Sequence, residues 1–360
     1  MFNQSFWKNK RVMVTGHSGF KGSWLTFWLQ KLGCKVLGIS NNVPFSDGIY
    51  ELGELSGALS NSDFGLPEFI NVLDKPKLDE ISQNFKPEII FHLAAQPLVF
   101  QSYANPVETF NTNLIGTVNV LESVKKSNDL LAIVSVTSDK VYKIGEITRH
   151  FSEDDCLGGR DPYSASKACS DLATEAYYHS YFSKMDVGVA VARSGNVIGG
   201  GDWSKDRLIP DIFRSWQQRK TLNLRNPLAV RPWQHVIEVI YGYLLLAERL
   251  VENPKKFSRP YNFGPLTPKN YSVHKVVDLF AHSLENNLNI EVAAPKQLDE
   301  THSLIIDTRF VRETLGWEAR WSLEEIVEYT TTWYQTFYRS GNVIDLCDYQ
   351  ISEYTQVITK

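Results

Sequence analysis

Three glycines at intervals of three residues follow a short apolar run near the start of the chain. The run spans residues 10–15, and the glycines are Gly16, Gly19 and Gly22. Apolar side chains then recur at helical spacing, and a second apolar run follows at 35–39. This order predicts a strand, a glycine turn, a helix and a second strand. Glycine permits a tight turn and lets backbone amides approach a pyrophosphate at the N-terminus of the helix.

Strand-like and helix-like segments continue to alternate up to about residue 195. We predict strands at 69–73, 89–93, 131–136 and 187–192, with helices at 106–127 and 163–183. Because such alternation produces a parallel sheet with helices on both faces, the predicted fold is an α/β, Rossmann-type, doubly wound domain.

Beyond residue 195 the sequence becomes rich in Gly, Pro and Trp, with shorter helical segments. We therefore expect a Rossmann domain over 1–195, to which the chain returns, and a smaller substrate-binding region over 196–345. A helix at 322–338 is expected to end the compact part of the chain. The remaining residues, 346–360, are expected to form a polar tail.

Composition excludes several classes of function. The formal net charge is −4 and basic residues are not clustered, so a nucleic acid is not an expected partner. No apolar run is long enough to cross a bilayer, and the N-terminus lacks a signal-peptide pattern. The scattered cysteines are Cys34, Cys156, Cys169 and Cys347, without the pairing typical of zinc sites or disulfide frameworks. We expect a cytoplasmic protein with reduced thiols, no membrane contact and no metal site.

The glycine turn is a candidate dinucleotide site. Its residues are Gly16, His17, Ser18, Gly19, Phe20, Lys21 and Gly22. An acidic residue about 20 positions further on ordinarily holds the adenosine ribose. Here the second strand ends in Ser40-Asn41-Asn42, and no Arg is present to attract a 2′-phosphate. NAD is therefore favoured over NADP.

A tyrosine and a lysine four residues apart open one of the predicted helices. They are Tyr163 and Lys167, and this spacing places both side chains on one face. A nearby ammonium favours the phenolate and lowers the pKa of a tyrosine, which makes Tyr163 a candidate base for a sugar hydroxyl. One strand earlier, Ser138-Asp139-Lys140 follows a predicted strand end, where open α/β sheets keep their active sites.

Together these motifs resemble the extended short-chain dehydrogenase/reductases over nearly the whole chain. The resemblance rests on the glycine turn, His92-Leu93-Ala94-Ala95, Asn113, Tyr163 and Lys167. Within that family, the segments similar to those of nucleotide-sugar 4,6-dehydratases are 16–24, 95–99, 199–207 and 231–235.

The resemblance implies an internal redox cycle on a nucleotide-sugar, in deoxysugar biosynthesis. Bound NAD takes hydride from carbon 4, water leaves across carbons 5 and 6, and hydride returns to carbon 6. Tyr163 would be the base of the oxidation, Lys167 would hold the nicotinamide ribose, and Ser138 would hydrogen-bond the reacting oxygen. Asp139, as a protonated carboxyl, would give its proton to the departing hydroxyl.

Lys140 has two possible roles, because related dehydratases place Glu there as the base at carbon 5. An amine can replace that base only when it is neutral; otherwise the ammonium can stabilise the developing enolate. The sequence leaves both roles open.

The resemblance also assigns a binding shell. For the cofactor it adds Asn71, Val72, Leu93, Ala94, Ala95, Asn113 and Asn196 to the turn, Tyr163 and Lys167. For the substrate it adds Gln96, Asn196, Arg207, Leu208, Arg231 and Trp233. Arginine suits a diphosphate because its charge is permanent and its hydrogen bonds are bidentate. Relatives usually have Asp where this chain has Asn71, so we expect weaker NAD binding than in those relatives.

Two other functions stay open at this stage. An NAD-dependent epimerase or reductase shares the redox half of the chemistry but does not need the acid and base represented by Asp139 and Lys140. A non-catalytic cofactor sensor could use the same fold. In relatives, the helices expected at 106–127 and 163–183 pair between subunits, so we predict a homodimer or a dimer of dimers.

Overall fold

The computed structural model describes residues 2–59, 61, 69–144, 150–265, 271–292 and 304–359. The strands are Arg11–Thr15 (β1), Lys35–Ile39 (β2), Ile89–His92 (β3), Ala132–Val136 (β4), His150–Phe151 (β5), Gly188–Ser194 (β6), Asn196–Ile198 (β7), Leu222–Leu224 (β8), Trp233–His235 (β9), Pro260–Phe263 (β10), Ile290–Val292 (β11) and Ile305–Ile306 (β12). Within the described part, no helix is both long and apolar enough to cross a membrane.

Helices flank the strands throughout the chain. They are Gln4–Trp7 (α1), Phe20–Lys31 (α2), Ile49–Leu52 (α3), Lys75–Phe85 (α4), Val99–Ala104 (α5), Pro106–Phe110 (α6), Gly116–Val124 (α7), Pro162–Ser180 (α8), Leu208–Gln218 (α9), Val236–Glu252 (α10), Pro254–Phe257 (α11), Val273–Ser283 (α12), Arg309–Leu315 (α13), Leu323–Tyr338 (α14) and Val343–Thr359 (α15). Short 3₁₀ turns cover Leu55–Ala58, Asp139–Val141 and Phe182–Met185, and a π-helical segment covers Asn111–Ile115.

The central sheet has six parallel strands in the order β10-β6-β4-β3-β1-β2. Alternate side chains enter opposite layers: Val12 and Val14 pack into the core that contains α2 and α10, whereas Met13 packs into the core that contains α4 and α7. Both faces are therefore covered, which confirms the predicted doubly wound α/β architecture.

The chain returns to the central sheet at strand β10. Strand β10 pairs with β6 through Pro260 and Val191, and α10 packs beneath the same sheet. The smaller region contains the pairs β7·β9 and β8·β11, together with α9, α12 and α14.

Two sequence-based predictions about local structure are wrong. Residues 69–73 are not a strand: Ile70 donates one backbone bond to Ser40, and the chain then turns because the Asn71 side chain accepts the Leu73 amide. The described part of the expected tail, 346–359, is not a tail but forms most of α15. That helix buries a stripe of Val343, Cys347, Ile351 and Tyr354 against α14 and α10.

The predicted helix at 106–127 is present but interrupted. It consists of α6, the π-helical segment and α7, joined without a loop. A π turn inserts one residue into the helix and rotates the side chains that follow, and such turns occur often at functional sites. Here the inserted segment carries Asn113.

Candidate active site

The glycine turn forms a backbone cradle that excludes side chains. Gly16 has φ of +74°, and a Cβ there would lie 2.8 Å from the Ala94 amide nitrogen. A Cβ on Gly22 would lie 1.9 Å from the Gly16 carbonyl oxygen. The first turn of α2 thus approaches the β1 turn closely, and no side chain caps the amides at the positive end of this helix. This geometry fits the pyrophosphate of NAD.

Serines occupy the place of the missing acid at the end of β2. The Ser18 hydroxyl donates to the Asn42 carbonyl at 2.7 Å, and the Ser40 hydroxyl accepts the Ser18 amide at 3.4 Å. His17 packs under Gly38, where an added Cβ would lie 2.6 Å from the imidazole ring. Burial lowers the pKa of His17 to about 4, so the ring is a neutral packing element of the turn.

The adenine side of the predicted cofactor site is formed by the segment before α4. The Asn71 side chain is exposed and accepts the Leu73 amide at 2.9 Å. Val72 is buried against Gly116, and its carbonyl accepts a bond from the Asn119 side chain at 3.1 Å. Asn71 keeps its amide group available to solvent, which is compatible with a contact to adenine.

The residues after β4 form a compact polar cluster. The Ser138 hydroxyl donates to Asp139 Oδ1 at 3.0 Å, and Lys140 Nζ donates to the same oxygen at 3.3 Å. Asp139 is 1% exposed, yet its Oδ2 has no hydrogen-bond partner among the described residues. A buried carboxyl oxygen without a partner is costly unless a ligand or a proton satisfies it.

Tyr163 and Lys167 lie in the first turns of α8, beside that cluster. The phenol hydrogen-bonds Ser138, and burial raises its pKa although Lys140 and Arg207 act in the opposite direction. The expectation that a neighbouring ammonium leaves the Tyr163 pKa below its usual value is therefore wrong, because burial outweighs the positive charges of Lys140 and Arg207. The Lys167 amine donates to the Val136 carbonyl at 2.8 Å. Burial lowers the pKa of Lys167 to about 8, and Asp171 opposes this shift.

Asn113 joins three parts of the site. Its Oδ1 accepts the Gln96 amide at 2.8 Å, and its Nδ2 donates to the Gln96 carbonyl at 3.2 Å and to Ser166 Oγ at 2.8 Å. The π-helical segment aims Asn113 at α8, between Tyr163 and Lys167. The structure therefore gives Asn113 a positioning role, and its predicted contact with the cofactor stays a prediction.

The Gln96 side chain is tied into its own loop. Its Nε2 donates to the Leu98 carbonyl and to Thr109 Oγ1, and its Oε1 accepts the Leu98 amide. Both donor hydrogens are thus used internally. Its neighbours in the cofactor prediction, Leu93, Ala94 and Ala95, are partly buried on the outer side of the glycine turn.

Two of the predicted substrate residues lie near the catalytic cluster. Arg207 precedes α9 and donates to Asp202 Oδ2 at 3.2 Å, and its charge acts on both Tyr163 and Lys21. Leu208 begins α9 directly after it. Asn196 begins β7 and pairs in register with Trp233 of β9.

The other two residues line a separate cavity of about 770 Å³ in the smaller region. Arg231 and Trp233 lie on its wall with Tyr271, Arg309 and Trp321. The Trp233 indole donates to the Tyr271 carbonyl at 3.2 Å, so its ring is held in place. Tyr163 and Ser138 do not line this cavity, so the predicted substrate shell spans a catalytic cleft and a neighbouring pocket.

A buried ion pair supports the cluster from behind. Arg193 of β6 donates through Nε and Nη2 to both carboxylate oxygens of Asp171, at 2.8 and 2.9 Å, and through Nη1 to the Tyr142 hydroxyl. Asp171 also accepts a bond from Thr137, next to Ser138. Sequence reasoning missed this pair, because nothing in the spacing of two charges 22 residues apart indicates contact.

A third lysine enters the cleft from the glycine turn. Lys21 Nζ donates to Ser194 Oγ at 3.2 Å, and the Tyr243 hydroxyl donates to the same oxygen at 3.0 Å. In the sequence, Lys21 is recognisable only as part of the glycine turn, and no local pattern marks Ser194 or Tyr243. Among the residues that can be described, no group of acidic, histidine and cysteine side chains could hold a metal ion.

Comparison with known proteins decides the family. The family model described as GDP-mannose 4,6 dehydratase matches residues 13–330. The chain is also 40% identical to CDP-glucose 4,6-dehydratase of Salmonella typhimurium, with all of both chains covered. This chain belongs to the GDP-mannose 4,6 dehydratase family. The family assignment confirms the resemblance found in the sequence, because both point to extended dehydrogenase/reductases that carry out dehydration.

Solved structures of the same fold are more distant in sequence. UDP-glucose 4-epimerase of Thermotoga maritima, solved with UDP-glucose, superimposes with a TM-score of 0.78 at 21% identity, over 91% of this chain and 99% of that one. dTDP-glucose 4,6-dehydratase of Bacillus anthracis, solved with NAD, gives a TM-score of 0.73 at 23% identity, over 93% and 99%. These similarities establish the fold that the dehydratase family shares with epimerases.

Proposed function

We propose that the protein is a hydro-lyase that converts CDP-glucose to CDP-4-keto-6-deoxyglucose and water, with NAD as a retained cofactor, in deoxysugar biosynthesis. The 40% identity to a CDP-glucose 4,6-dehydratase over the full chain carries the choice of substrate. The polar cluster after β4 supports dehydration rather than epimerisation, because a simple epimerase needs no acid for a departing hydroxyl.

The cofactor site fits NAD on the chain's own geometry. The cradle between Gly16 and Gly22 has no room for a Cβ, and its amides lie at the N-terminus of α2. Serines and asparagines, rather than arginines, surround the end of β2, which favours a ribose hydroxyl over a 2′-phosphate. When bound, NAD supplies the hydride acceptor for carbon 4 and the hydride donor for carbon 6.

Tyr163 is the base of the first step. Its hydroxyl lies within hydrogen-bond distance of Ser138, so a substrate 4-hydroxyl placed between them can pass its proton to the phenolate. Burial raises the pKa of Tyr163, and the positive charges of Lys140 and Arg207 partly reverse that shift. Proton removal by Tyr163 therefore depends on those charges as well as on Lys167.

Asp139 is the acid of the elimination. Its Oδ2 is buried and lacks a partner in the described structure, while Oδ1 already accepts Ser138 and Lys140. A proton on Oδ2 therefore leaves both existing bonds intact. Delivered to the hydroxyl on carbon 6, that proton produces the leaving water.

Lys140 acts through charge. Its amine lies 3.3 Å from Asp139 Oδ1, and its side chain is 30% exposed. An ammonium there stabilises the oxygen of the enolate that forms when carbon 5 loses its proton. Arg207 binds the diphosphate from the catalytic cleft and Arg231 binds it from the cavity wall, where Trp233 pairs in register with Asn196.

We propose a homodimer formed through α5 to α8. Large apolar side chains are exposed on these helices or next to them: Tyr103 (47%), Val107 (73%), Ile115 (44%), Leu172 (53%) and Tyr181 (43%). A patch of this kind is characteristic of a protein interface. In light scattering, Leu172→Glu should halve the molar mass, whereas Leu228→Glu, at an exposed apolar residue before Arg231, should leave it unchanged.

Mass spectrometry of the reaction product tests the function. Incubation of the protein with NAD and CDP-glucose should yield a nucleotide-sugar lighter by one water. Unchanged mass with altered stereochemistry would identify an epimerase instead. UDP-, GDP- and dTDP-glucose in parallel reactions test the preference for cytidine, and equal turnover of all four would contradict it.

A further inference from the structure

The loop between β7 and α9, residues 199–207, is held from two sides. Gly200 packs directly on α14, since a Cβ there would lie 2.0 Å from the Trp333 ring. The Trp203 ring packs on the same side chain, with 6.5 Å between the two ring centroids. Its Nε1 donates to the Asp47 carbonyl at 2.7 Å, in the segment between β2 and α3. The loop backbone is therefore fixed between α14 and the segment that follows β2.

Asp202 lies between these anchors, and it is buried, with 4% of its surface exposed. Its Oδ1 accepts the Ser204 amide at 3.0 Å and the Ser204 hydroxyl at 2.6 Å. Its backbone carbonyl accepts the hydroxyl of Tyr334, a fully buried residue of α14. Contacts of the backbone and of the side chain thus fix the position of the second carboxylate oxygen.

That second oxygen holds Arg207. Asp202 Oδ2 accepts Arg207 Nη1 at 3.2 Å, and the arginine side chain is 36% exposed. Among the residues that the structure describes, no other hydrogen bond of this guanidinium is found. Most of its five N–H donors are therefore available to an anion.

Arg207 is close to the catalytic cluster and to the glycine turn. Its positive charge acts on the Tyr163 phenol of α8 and on the Lys21 amine of α2. An arginine that is free to rotate loses conformational entropy when it binds a ligand, and this loss weakens binding. An arginine that is already held by a buried carboxylate avoids most of that cost.

We propose that Asp202 is a positioning residue, which holds Arg207 in the orientation that binds the substrate diphosphate. The proposal rests on the nucleotide-sugar function proposed above. One nitrogen of the guanidinium stays on Asp202 Oδ2, and the remaining donors bind phosphate oxygens. The site is thus ordered before the substrate arrives, and Asp202 itself does not contact the substrate.

Charge and orientation predict opposite effects when the carboxylate is removed. Asp202→Asn keeps one oxygen for Ser204, but its amide nitrogen cannot accept a hydrogen bond from Arg207. Loss of a negative charge near a diphosphate would by itself strengthen binding of that diphosphate. Loss of the orientation of Arg207 would weaken it. The sign of the change in affinity therefore separates the two effects.

Calorimetry with CDP measures this change. We expect CDP to bind Asp202→Asn at least about tenfold more weakly than the parent protein, as for a lost hydrogen bond to a charged group. The KM for CDP-glucose should rise by a similar factor. Introduced into Arg207→Met, Asp202→Asn should have almost no further effect on CDP affinity. NAD affinity should change less than about threefold, because the Asn variant keeps the contacts of Ser204 and Tyr334 that hold the loop.

Asp206→Asn is the matched control. It removes the same charge from the same loop, but Asp206 is exposed and contacts Arg225 instead of Arg207. We expect its CDP affinity and its KM to remain within about twofold of the parent values, because the Asp202 contact is intact.

Four results would contradict these expectations in different ways. Unchanged or tighter CDP binding in Asp202→Asn would overturn the positioning role. An equal loss of affinity in the Arg207→Met background would mean that Asp202 supports the loop and not Arg207. A tenfold loss in Asp206→Asn would attribute the effect to the charge of the loop. Failure of the parent protein to bind CDP would instead contradict the proposed function itself.

Discussion

Asp139 Oδ1 accepts hydrogen bonds from both Ser138 and Lys140, whereas the second oxygen of the same carboxyl group has no partner in the described structure. Asp139→Asn preserves the shape and the bonds to Oδ1 but removes the transferable proton. We expect at least about a 100-fold loss of kcat, because a general acid contributes that much or more. Stopped-flow absorbance should show the cofactor becoming reduced and remaining so. Normal turnover would exclude Asp139 as the acid.

The glycine cradle predicts a sharp effect on cofactor binding. Gly22→Ala places a methyl group 1.9 Å from the Gly16 carbonyl, so α2 must move away from the turn. We expect NAD affinity, measured by calorimetry, to fall at least tenfold, or about 1.4 kcal/mol. Gly57→Ala is a matched control, since its Cβ would meet no atom within 4 Å. Equal affinities for the two variants would contradict this interpretation of the turn.

The cofactor site should also respond to a restored acid. Asn71→Asp keeps the oxygen that accepts the Leu73 amide and adds a stronger acceptor for the adenine amino group. We expect several-fold tighter NAD binding in calorimetry. A parent protein that already binds NAD at nanomolar concentration, without preference over NADP, would show that the asparagines here do not weaken binding.

The ion pair behind the catalytic cluster is a stability determinant. Asp171→Asn leaves the Arg193 guanidinium buried without its bidentate partner. Breaking one side of a buried pair costs about 3–5 kcal/mol, which should appear as a lower denaturation midpoint in guanidinium chloride. Asp154→Asn, which breaks the exposed contact with Arg259, should change stability by less than about 1 kcal/mol.

Acid should destabilise the fold through a buried histidine. His235 accepts the Ile237 amide through Nδ1, and burial lowers its pKa to about 3. In the unfolded chain the His235 ring has a pKa of about 6.5. Its contribution to the free energy of unfolding is therefore complete above pH 6.5 and is lost as the pH falls towards 3.

Glu238 at the same helix start acts in the opposite direction, since burial raises its pKa to about 7. The effect of His235 is therefore isolated by comparing the free energy of unfolding of the parent protein with that of His235→Asn, whose side-chain oxygen still caps α10. The difference between the two free energies, measured by urea titration, should shrink as the pH falls. A constant difference would mean that His235 does not titrate.

Local patterns predicted the parts of the site that lie close together in sequence. The glycine turn lies between β1 and α2 as predicted, because glycines directly after a strand indicate such a turn. Tyr163 and Lys167 lie at the start of α8 as predicted, because helical geometry alone places residues four apart on one face. The contact of Lys21, Ser194 and Tyr243 was not predictable in this way. It joins helix α2, strand β6 and helix α10, which only the tertiary fold brings together.

The two errors in secondary structure have physical causes that differ. Residues 69–73 are rich in strand-forming side chains, but the Asn71 side chain competes for the backbone and ends the extended segment. In α15, polar residues interrupt the apolar ones at every turn and obscure a helical stripe. Cys347, Ile351 and Tyr354 lie three or four residues apart and are buried, so the signal was present in the sequence.

The Tyr241 ring joins two parts of the described chain that are far apart in sequence, with Phe2 at 5.5 Å and Tyr354 at 5.7 Å between ring centroids. Helix α15 therefore covers part of the apolar surface of α10. A variant truncated before Val343 exposes that surface to solvent and should yield an aggregated or degraded product rather than a shorter enzyme.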